Sequence, residues 1–344
     1  MSGSAVVIGF GSIGRYHSGL VGQRYDNVAI VDFDPEARNA ASALHPNAMI
    51  AGSLDELDKR GWEWNQSLGI IASWGPDHAS TFFDLVSRGV MRILCEKPLA
   101  NSISLAAEMV DVACGDSVTL GIHHHRRYSG LVTGMRSLAN KLAIGDPQAV
   151  YITGGASGLV TNGIHHIDWI VELFGEWPEL VISTARGEKI NPRSPELQFY
   201  GGTAAWMFPS GREATISFSN RSSVSPKIII YYRDAIAELL DNSEIEINLR
   251  DEASIKKHPL VTRTGVAMVL GQRAQIPGVL KLEEATSRLL DEIDLDRVKV
   301  FTPYDAQLAL GACIGALTSG LTHSAIHLPI DPESEDGTRE WPIS

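Results

Sequence analysis

A lysine that follows a buried-strand pattern is the first side chain in this sequence with clear chemical potential. Lys97 stands between Glu96 and Pro98, directly after the apolar run Arg92–Cys95. An ammonium group at the carboxyl end of a central strand can hydrogen-bond a substrate oxygen that alternates between hydroxyl and carbonyl, and it can stabilise the charge that develops there. We therefore predict that Lys97 is a catalytic and substrate-binding residue, with Glu96 orienting a bound ligand or tuning the lysine. A surface Glu-Lys pair of no consequence is the alternative.

A histidine near the start of a helical pattern is the second candidate. His165 lies in Gly163-Ile164-His165-His166-Ile167-Asp168, and an imidazole with a pKa of about 6.5 suits removal of a hydroxyl proton near neutral pH. Asp168 falls on the same helix face as His165 and can bias its tautomer. We predict that His165 is catalytic and that Asp168 and Asn162 bind substrate, whereas His166 is expected to serve packing.

A glycine-rich turn near the N-terminus predicts a dinucleotide site. Its residues follow the strand-like run Ala5–Gly9 and open a helical pattern; they are Gly9, Phe10, Gly11, Ser12, Ile13 and Gly14. The glycines permit a tight turn, close approach of a pyrophosphate and close helix–strand packing, and the helix N-terminus offers N–H groups to phosphates. Asp32 ends the next strand, 18 residues past Gly14, where a carboxylate binds the adenosine ribose. A kinase loop is the competing motif, but no HRD or DFG sequence follows.

The residues after Asp32 bear on the choice of cofactor. A carboxylate accepts both ribose hydroxyls but repels a 2′-phosphate, and Phe33 and Asp34 supply no cation to receive that phosphate. NAD is therefore favoured over NADP, with Arg38 as the nearest residue that could reverse this preference.

Strand and helix patterns alternate over the first 121 residues, which predicts a parallel sheet with helices on both faces. The predicted strands are Ala5–Gly9, Val28–Asp32, Leu68–Ala72, Arg92–Cys95 and Val118–Gly121, and the predicted helices are Ser12–Gln23, Pro35–Leu44, Asp77–Arg88 and Ser102–Ala113. Later, strand-like runs separated by Gly, Pro, Ser and Asn predict a second, α+β domain with a large, mostly antiparallel, open-faced sheet. The predicted domains are 1–122 for cofactor binding and 123–344 for substrate binding and oligomerisation.

The motifs taken together resemble the glucose–fructose oxidoreductase, inositol dehydrogenase and rhizopine-catabolism (Gfo/Idh/MocA) family. Ser73-Trp74-Gly75-Pro76-Asp77-His78 follows the fourth strand, Glu96-Lys97-Pro98 follows the fifth, and the His165 motif lies in the second domain. The resemblance implies a Rossmann domain, redox chemistry on sugars or cyclitols, and a catalytic role for Lys97. It also places Ser73, Trp74, His78, Glu96 and Lys97 at the cofactor. Many relatives carry an aspartate four residues before the histidine, where this chain has Thr161, so a Lys–Asp–His trio is in doubt.

Three histidines precede two arginines in His123-His124-His125-Arg126-Arg127-Tyr128. Adjacent residues on an extended segment point in alternating directions, and no Cys or acidic residue completes a ligand set, so we predict no metal site. By analogy with the family, His123, Arg126 and Tyr128 contact substrate, and the arginines suit a carboxylate or phosphate. An interdomain hinge with a solvated basic face is the other interpretation, and both stay open.

Composition limits the possible partners. The 344 residues carry 29 Lys and Arg against 41 Asp and Glu, a net charge of −12, which disfavours broad binding to nucleic acid or anionic membranes. Three cysteines without a CxxC pair, and an N-terminus without a basic stretch before its apolar run, predict a cytoplasmic protein. The run without charged residues between Asp305 and Asp331 contains too many polar and glycine residues for lipid and predicts a buried helix.

These patterns predict an NAD-dependent oxidoreductase that moves hydride between nicotinamide and a hydroxyl or carbonyl carbon of a sugar, a sugar derivative such as a nucleotide sugar, or a cyclitol. Two alternatives stay open: an NAD-retaining glycoside hydrolase of the same fold, and a catalytically silent NAD or sugar sensor. A homodimer or homotetramer is expected because an open sheet face needs covering.

Overall fold

The computed structural model describes residues 3–115, 118–155, 157–188, 196–219, 222–241, 243–250, 252–257 and 269–343. The chain forms two compact units. Unit 1 comprises Met1–Tyr128, Leu282–Gly311 and Ile330–Ser344, and unit 2 comprises Ser129–Lys281 and Ala312–Pro329. The sequence predicts the domains 1–122 and 123–344. These domains differ from the two units, because Leu282–Gly311 and Ile330–Ser344 belong to unit 1 and the prediction assigns them to the second domain.

The N-terminal part of unit 1 alternates strands and helices, as the periodicity predicts. In chain order its elements are β1 (Ser4–Ile8), α1 (Ser12–Val21), β2 (Asn27–Val31), α2 (Pro35–Leu44), β3 (Met49–Ala51), α3 (Leu54–Lys59), β4 (Ser67–Ile71), α4 (His78–Ser87), β5 (Arg92–Cys95), α5 (Ile103–Gly115), β6 (Thr119–Ile122) and α6 (His125–Tyr128). The six strands are parallel in the order β3-β2-β1-β4-β5-β6. The chain order reverses between β1 and β4, which is where doubly wound sheets bind ligands.

Local chemistry sets the starts of the unit 1 helices. Pro35 occupies the first turn of α2, where its missing N–H costs nothing, and the Asp34 side chain accepts the Glu36 backbone N–H. Ser53 accepts the N–H of Glu56 in the same way at the start of α3. The strands are apolar on both sides because helices cover both faces, and all five residues of β4 are buried.

Unit 2 is built around a ten-stranded mixed sheet, most of whose strand pairs are antiparallel. Its elements are α7 (Leu131–Leu142), β7 (Pro147–Gly155), α8 (Gly163–Phe174), β8 (Leu180–Ser183), β9 (Arg186–Glu188), β10 (Phe199–Met207), β11 (Glu213–Ser219), β12 (Lys227–Tyr232), β13 (Ala235–Leu239), β14 (Glu244–Leu249), α9 (Glu252–Lys257) and β15 (Val269–Gln275). The β7–β11 pair is parallel, whereas the β12 pairs with β7 and β13 are antiparallel. The predicted α/β plus α+β fold class is confirmed.

The last elements are α10 (Leu282–Asp294), α11 (Pro303–Thr322), β16 (Ile326–His327) and α12 (Glu335–Thr338). Helix α10 packs against β5, β6 and α6 within unit 1. Helix α11 contributes its first part to unit 1 and, from Ala312 onward, its second part to unit 2. No helix in the described part of the chain is long and apolar enough to cross a membrane.

The two faces of the unit 2 sheet differ in composition. One row of paired residues is almost completely buried: Val181, Trp206, Ala214, Val150, Ile230, Ala237 and Ile247. The neighbouring row, Ile182, Ala205, Thr215, Tyr151, Ile229 and Glu238, faces the other side and is not buried. Within unit 2, α8 lies against β7 and β11, and Trp206 Nε1 on the buried face donates to the Ala312 carbonyl of α11 at 3.0 Å. Among the described residues this second row is therefore left partly exposed, in agreement with the open-faced sheet that the sequence predicts.

Candidate active site

The glycine loop that joins β1 to α1 has three glycines for different physical reasons. Gly9 has φ +91°, and a Cβ there would lie 2.6 Å from the Ala72 carbonyl oxygen. A Cβ on Gly14 would collide with the Gly9 carbonyl oxygen, so this position needs glycine for packing. Gly11 is exposed, and its Cβ would meet nothing within 4 Å. The loop is thus tightly packed at Gly9 and Gly14, whereas it is open at Gly11.

Helix α1 begins in this open region. Gly11 is its N-cap residue, and no side chain of the described residues caps it. The first N–H groups of the helix therefore remain available to an anion, which the helix dipole also favours. This donor set fits a pyrophosphate group.

Asp32, the residue directly after β2, is held in place by backbone donors. The N–H of Phe10 donates to Asp32 Oδ2 at 2.7 Å, and the N–H of Asp34 donates to Oδ1 at 2.8 Å. Each carboxylate oxygen keeps a further acceptor site for a ribose hydroxyl. Arg38 Nη1 donates to the backbone carbonyls of Asp32 and Phe33 at 2.9 and 2.8 Å.

The segment after β4 contains the predicted residues Ser73, Trp74 and His78. His78 is almost fully buried; its Nδ1 lies 2.7 Å from the Pro98 carbonyl and its Nε2 lies 3.1 Å from the Ser73 carbonyl, and burial lowers its pKa. It therefore joins the loop after β4 to the loop after β5. The buried Ser73 Oγ has no hydrogen-bond partner among the described residues. Trp74 is 38% exposed and faces Phe33, which is 77% exposed.

Phe33 was not singled out from the sequence, although it directly follows the ribose-binding acid. An aromatic residue in that position is the signal that could have identified it. The ring is among the exposed large hydrophobic side chains of unit 1. Exposed aromatic surface beside a polar site is typical of a face that a flat ring can cover.

Glu96, after β5, is buried and bonded to two histidines. Its Oε1 lies 2.7 Å from His17 Nε2 on α1 and 2.7 Å from His123 Nδ1 after β6. Burial alone would raise the pKa of Glu96, but the charge of His123 and the hydrogen bonds from both histidines outweigh it and hold the pKa well below its ordinary value. Lys97, the next residue, is half-buried and joined to Pro98 by a cis peptide bond. His17 carries no sequence signal that would have identified it.

The His17–Glu96–His123 cluster has the residue types of a metal site, with one donor atom from each within 4.8 Å of the others. Two donors on one tetrahedral zinc ion stand about 3.3 Å apart, given metal–nitrogen bonds of about 2.05 Å. The two histidine nitrogens are each 2.7 Å from the same carboxylate oxygen, which is the length of a charge-assisted hydrogen bond. The geometry therefore describes a hydrogen-bonded cluster.

Tyr128 and His123, both predicted to contact substrate, have partners within unit 1. Tyr128 Oη donates to Glu292 Oε2 at 3.0 Å, and only 3% of this tyrosine is exposed. His123 is equally buried. Arg126 on α6 is half-buried. Substrate contact by these three residues stays a prediction.

The predicted residues of unit 2 lie at the start of α8. His165 is half-buried in the first turn, and Asp168 follows it on the same helix with no exposed surface. Asn162 is exposed, and its Oδ1 accepts the N–H of Gly158 at 3.1 Å. His166 Nδ1 accepts from Trp169 Nε1 at 3.2 Å in the interior. The roles of His165, Asp168 and Asn162 stay predictions.

The fold of unit 1 and its glycine loop define a dinucleotide-binding Rossmann domain. Residues 4–124 match a family model, GFO_IDH_MocA, described as "Oxidoreductase family, NAD-binding Rossmann fold". The match over this N-terminal part of the chain agrees with the family and the cofactor predicted from the motifs. The open loop at Gly11, the uncapped start of α1 and the carboxylate of Asp32 are the features that fit NAD.

Solved structures with the same fold cover almost the whole chain. An NAD-binding protein from Listeria innocua is 17% identical, with a TM-score of 0.73 over 95% of this chain and 99% of that one. A levoglucosan dehydrogenase in complex with NADH and levoglucosan is 14% identical (TM-score 0.71, 96% and 100% covered). The WlbA dehydrogenase from Bordetella pertussis, in complex with NADH and UDP-GlcNAcA, is 17% identical (TM-score 0.71, 96% and 100% covered). A search of curated protein sequences found no match.

Proposed function

We propose that the protein is an NAD-dependent dehydrogenase or reductase that acts on a CH–OH carbon of a sugar, a sugar derivative such as a nucleotide sugar, or a cyclitol. The observation that carries the proposal is the position of Lys97, directly after β5 at the carboxyl edge of the parallel sheet. The glycine loop and Asp32 follow β1 and β2 at the same edge. Two neighbours of the same fold, named above with levoglucosan and UDP-GlcNAcA, support the substrate class.

Oxidation of an alcohol removes a hydride from carbon and a proton from oxygen. NAD, when bound, supplies the hydride acceptor. The Lys97 ammonium hydrogen-bonds the substrate oxygen and stabilises its negative charge as the hydroxyl becomes a carbonyl. His165 accepts the hydroxyl proton, and in the reverse direction it returns that proton. Asp168 on the same helix biases the tautomer of His165.

The geometry around Asp32 supports NAD over NADP. Both carboxylate oxygens accept backbone N–H groups, which hold the side chain in place next to the ribose site. A 2′-phosphate would meet this negative charge at close range. One guanidinium nitrogen of Arg38 donates to two backbone carbonyls, which limits what it can offer a phosphate.

The open face of the unit 2 sheet supports assembly into a homodimer or homotetramer. Ile182 is 48% exposed and Tyr231 is 40% exposed on strands β8 and β12 of the same sheet. Apolar side chains on one broad sheet face are typical of a surface that a second copy covers. Light scattering on the eluting protein measures the oligomer, and Ile182→Lys is expected to lower its mass.

The central experiment follows the absorbance of reduced nicotinamide after the protein is mixed with NAD and a panel of sugars, cyclitols, uronic acids and nucleotide sugars. We expect one substrate class to produce NADH. Lys97→Ala is expected to lower turnover by about 100-fold or more, as loss of a donor to a developing oxyanion does. Lys59→Ala, an exposed lysine at the end of α3, is the matched control.

Turnover by Lys97→Ala equal to that of the unchanged protein would contradict the role of this lysine. Binding of NADH without net NADH production from any panel member would contradict the dehydrogenase. Release of an aglycone under those conditions would then identify the NAD-retaining hydrolase. His165→Asn tests the proton acceptor separately, and we expect its activity loss to shrink as the pH rises, because hydroxide then competes as a base.

A further inference from the structure

The loop that carries Lys97 is buried almost throughout. It joins β5 to α5, and from Ile93 to Ile103 every residue except Lys97 is buried. Leu99 and Ala100 have no exposed surface. The loop is neither strand nor helix, so its position depends on the elements that cover it. Contacts that hold this loop therefore also fix the base of the Lys97 side chain.

The first half of the loop is held by elements that precede it in the chain. The N–H of Glu96 donates to the Ile71 carbonyl at the end of β4 at 2.9 Å. The Pro98 carbonyl lies 2.7 Å from Nδ1 of His78, the first residue of α4. The backbone on either side of Lys97 is therefore fixed to neighbouring parts of the sheet.

The second half of the loop is held by residues 339–343. The backbone N–H of Trp341 donates to the Asn101 carbonyl at 2.9 Å, and Asn101 Nδ2 donates to Glu340 Oε2 at 3.2 Å. Only 4% of Asn101 is exposed. Helix α12, just before this segment, packs against α5, which begins two residues after Asn101. Residues 339–343 thus cover the loop where it enters α5.

Residues 339–343 are themselves anchored in unit 1. Only 7% of Trp341 and 1% of Ile343 are exposed. The guanidinium carbon of Arg339 lies 5.7 Å from the centroid of the Trp341 ring. A buried indole removes a large apolar area from water, so displacement of the segment is costly. The segment can therefore hold the loop in one position.

We propose that residues 339–343 form a strap that positions Lys97, with Trp341 as its anchor and Asn101 as its point of attachment. The proposal rests on the role of Lys97 given under Proposed function. Asn101 is four residues from Lys97 in a loop that is closely packed on its way through the protein. Packed interiors transmit a displacement and do not absorb it locally. Loss of the strap should therefore move the lysine relative to its substrate.

Trp64 provides a matched control for Trp341. Both residues belong to unit 1, with 9% and 7% of their surface exposed, and each ring lies under an arginine at 5.7 Å. Trp64 precedes β4, at the amino edge of the parallel sheet, whereas Lys97 follows β5 at the carboxyl edge. Truncation of either ring should cost similar stability, but of the two only Trp341 is bonded to the loop.

Hydrogen exchange followed by mass spectrometry tests the strap without substrate or cofactor. We expect Trp341→Ala to speed amide exchange about tenfold or more in peptides that cover residues 96–102, because a loop that loses a covering contact opens more often. Exchange in residues 4–21, which hold the glycine loop, should change by less than about twofold. Trp64→Ala should leave residues 96–102 unchanged. Equal exchange of these residues in the two variants would overturn the strap.

Glu340 allows a milder test in case Trp341→Ala does not fold. Its side chain is exposed, so substitution there leaves the interior intact. Glu340→Ala removes the acceptor for Asn101 Nδ2 and should speed exchange of residues 96–102 by about two- to fivefold. Glu340→Gln keeps an acceptor oxygen and should behave as the unchanged protein does. Equal exchange in these two variants and the unchanged protein would contradict attachment at Asn101.

Kinetics test the positioning role. We expect Trp341→Ala to lower kcat about 10- to 100-fold, because small misplacements of a catalytic group cost that much. The primary deuterium isotope effect on turnover should rise as hydride transfer becomes slower, and the dissociation constant of NADH should stay within about threefold. Trp341→Phe keeps an aromatic ring and the backbone N–H and should recover most of the turnover.

A merely structural role would affect Trp341→Ala and Trp64→Ala alike. Well below their melting temperatures, we expect Trp64→Ala to keep kcat and its isotope effect within about twofold of the unchanged protein. The same kcat and isotope effect in both alanine variants would overturn the positioning role.

The two kinds of experiment separate this proposal from the proposed function. Faster exchange of residues 96–102 in Trp341→Ala, in a protein that reduces no NAD with any substrate, would refute the dehydrogenase and, with it, the positioning of a catalytic lysine. An active dehydrogenase in which Trp341→Ala matches Trp64→Ala in exchange and in kcat would refute the strap and leave the proposed function intact.

Discussion

Phe33 and Trp74, on the loops after β2 and β4, meet edge to face with their ring centroids 6.4 Å apart and an interplanar angle of 82°. Both rings are exposed, Phe33 by 77% and Trp74 by 38%. Phe33 directly follows Asp32, which the glycine fingerprint predicts to bind the adenosine ribose, and Trp74 lies in the segment after β4 that the family resemblance places at the cofactor. Two exposed aromatic rings at this point offer an apolar surface on which an adenine base can stack.

Truncation of either ring should weaken cofactor binding. Stacking of a base on an aromatic side chain contributes about 1–3 kcal/mol, so we expect Phe33→Ala and Trp74→Ala to raise the dissociation constant of NADH about tenfold. Quenching or enhancement of NADH fluorescence during a titration measures this constant. Leu295→Ala is a suitable control, because this exposed residue follows Asp294, whose carboxylate contacts Arg92 at the amino end of β5. Unchanged NADH affinity in both aromatic variants would refute the stacking role.

Asp32 should determine the choice between NAD and NADP. Its carboxylate would accept charge-assisted hydrogen bonds from ribose hydroxyls, each of about 1.5–3 kcal/mol. We expect Asp32→Ala to weaken NADH binding by about 10- to 100-fold and to weaken NADPH binding less, since the repulsion of the 2′-phosphate is also lost. Parallel titrations with NADH and NADPH give the ratio of affinities. A ratio that does not move would show that another group sets the preference.

The glycine fingerprint, the strand and helix alternation and the Glu96-Lys97-Pro98 motif could be predicted from the sequence because each depends on local chemistry. Helix α2 begins and ends where Pro35 and the apolar period place it. Strand β3 was missed because Met49–Ala51 has only three residues, too few for an alternating pattern. Strand β7 was missed because Pro147 and two glycines dilute its β-branched residues.

The hydrogen-bonded cluster around Glu96 could not be predicted, because its residues come from distant parts of the chain. His17 is 79 residues from Glu96, and Thr286, whose Oγ1 lies 2.9 Å from His123 Nε2, is 163 residues from His123. No spacing rule relates residues on α1, after β5 and on α10. The place of α10 in unit 1 depends in the same way on packing against β5 and β6, and an amphipathic pattern does not specify which sheet a helix covers.

Asp294 should contribute much of the stability that holds α10 on the parallel sheet. Its carboxylate accepts hydrogen bonds from Arg24 Nε at 3.0 Å, Tyr25 Oη at 2.7 Å and Arg92 Nη1 at 3.4 Å. Only 9% of this side chain is exposed. Asp294→Asn leaves two arginines with a neutral partner in a nearly buried site, and we expect a loss of about 2–3 kcal/mol in the free energy of unfolding.

Asp291 provides the matched control for this prediction. It also bonds Arg24, but its side chain is 60% exposed, so Asp291→Asn should cost less than about 1 kcal/mol. Thermal and urea denaturation of the full chain compare the two variants. An equal loss of unfolding free energy in the two variants would show that the three hydrogen bonds accepted by Asp294 contribute no more than one surface ion pair.

His125 should make the protein less stable as the pH falls below about 6.5. Burial, and after it the neighbouring charges of His123 and Arg126, lowers the pKa of His125 to about 3. In this pH range the unfolded chain binds a proton at His125 and the folded chain does not, so the free energy of unfolding decreases as the pH decreases. Between about pH 7.5 and pH 5.5 this one group should cost about 1.4 kcal/mol.

The comparison of two variants isolates this contribution from that of other titrating groups. His125→Gln cannot be protonated, so its stability loss between about pH 7.5 and pH 5.5 should be smaller than that of the unchanged protein by about 1.4 kcal/mol. His327→Gln removes an exposed histidine and should retain the full pH dependence. Urea denaturation at the two pH values measures both differences. The same pH dependence in all three proteins would mean that His125 takes up its proton in the folded state, and the neutral state assigned to it would be wrong.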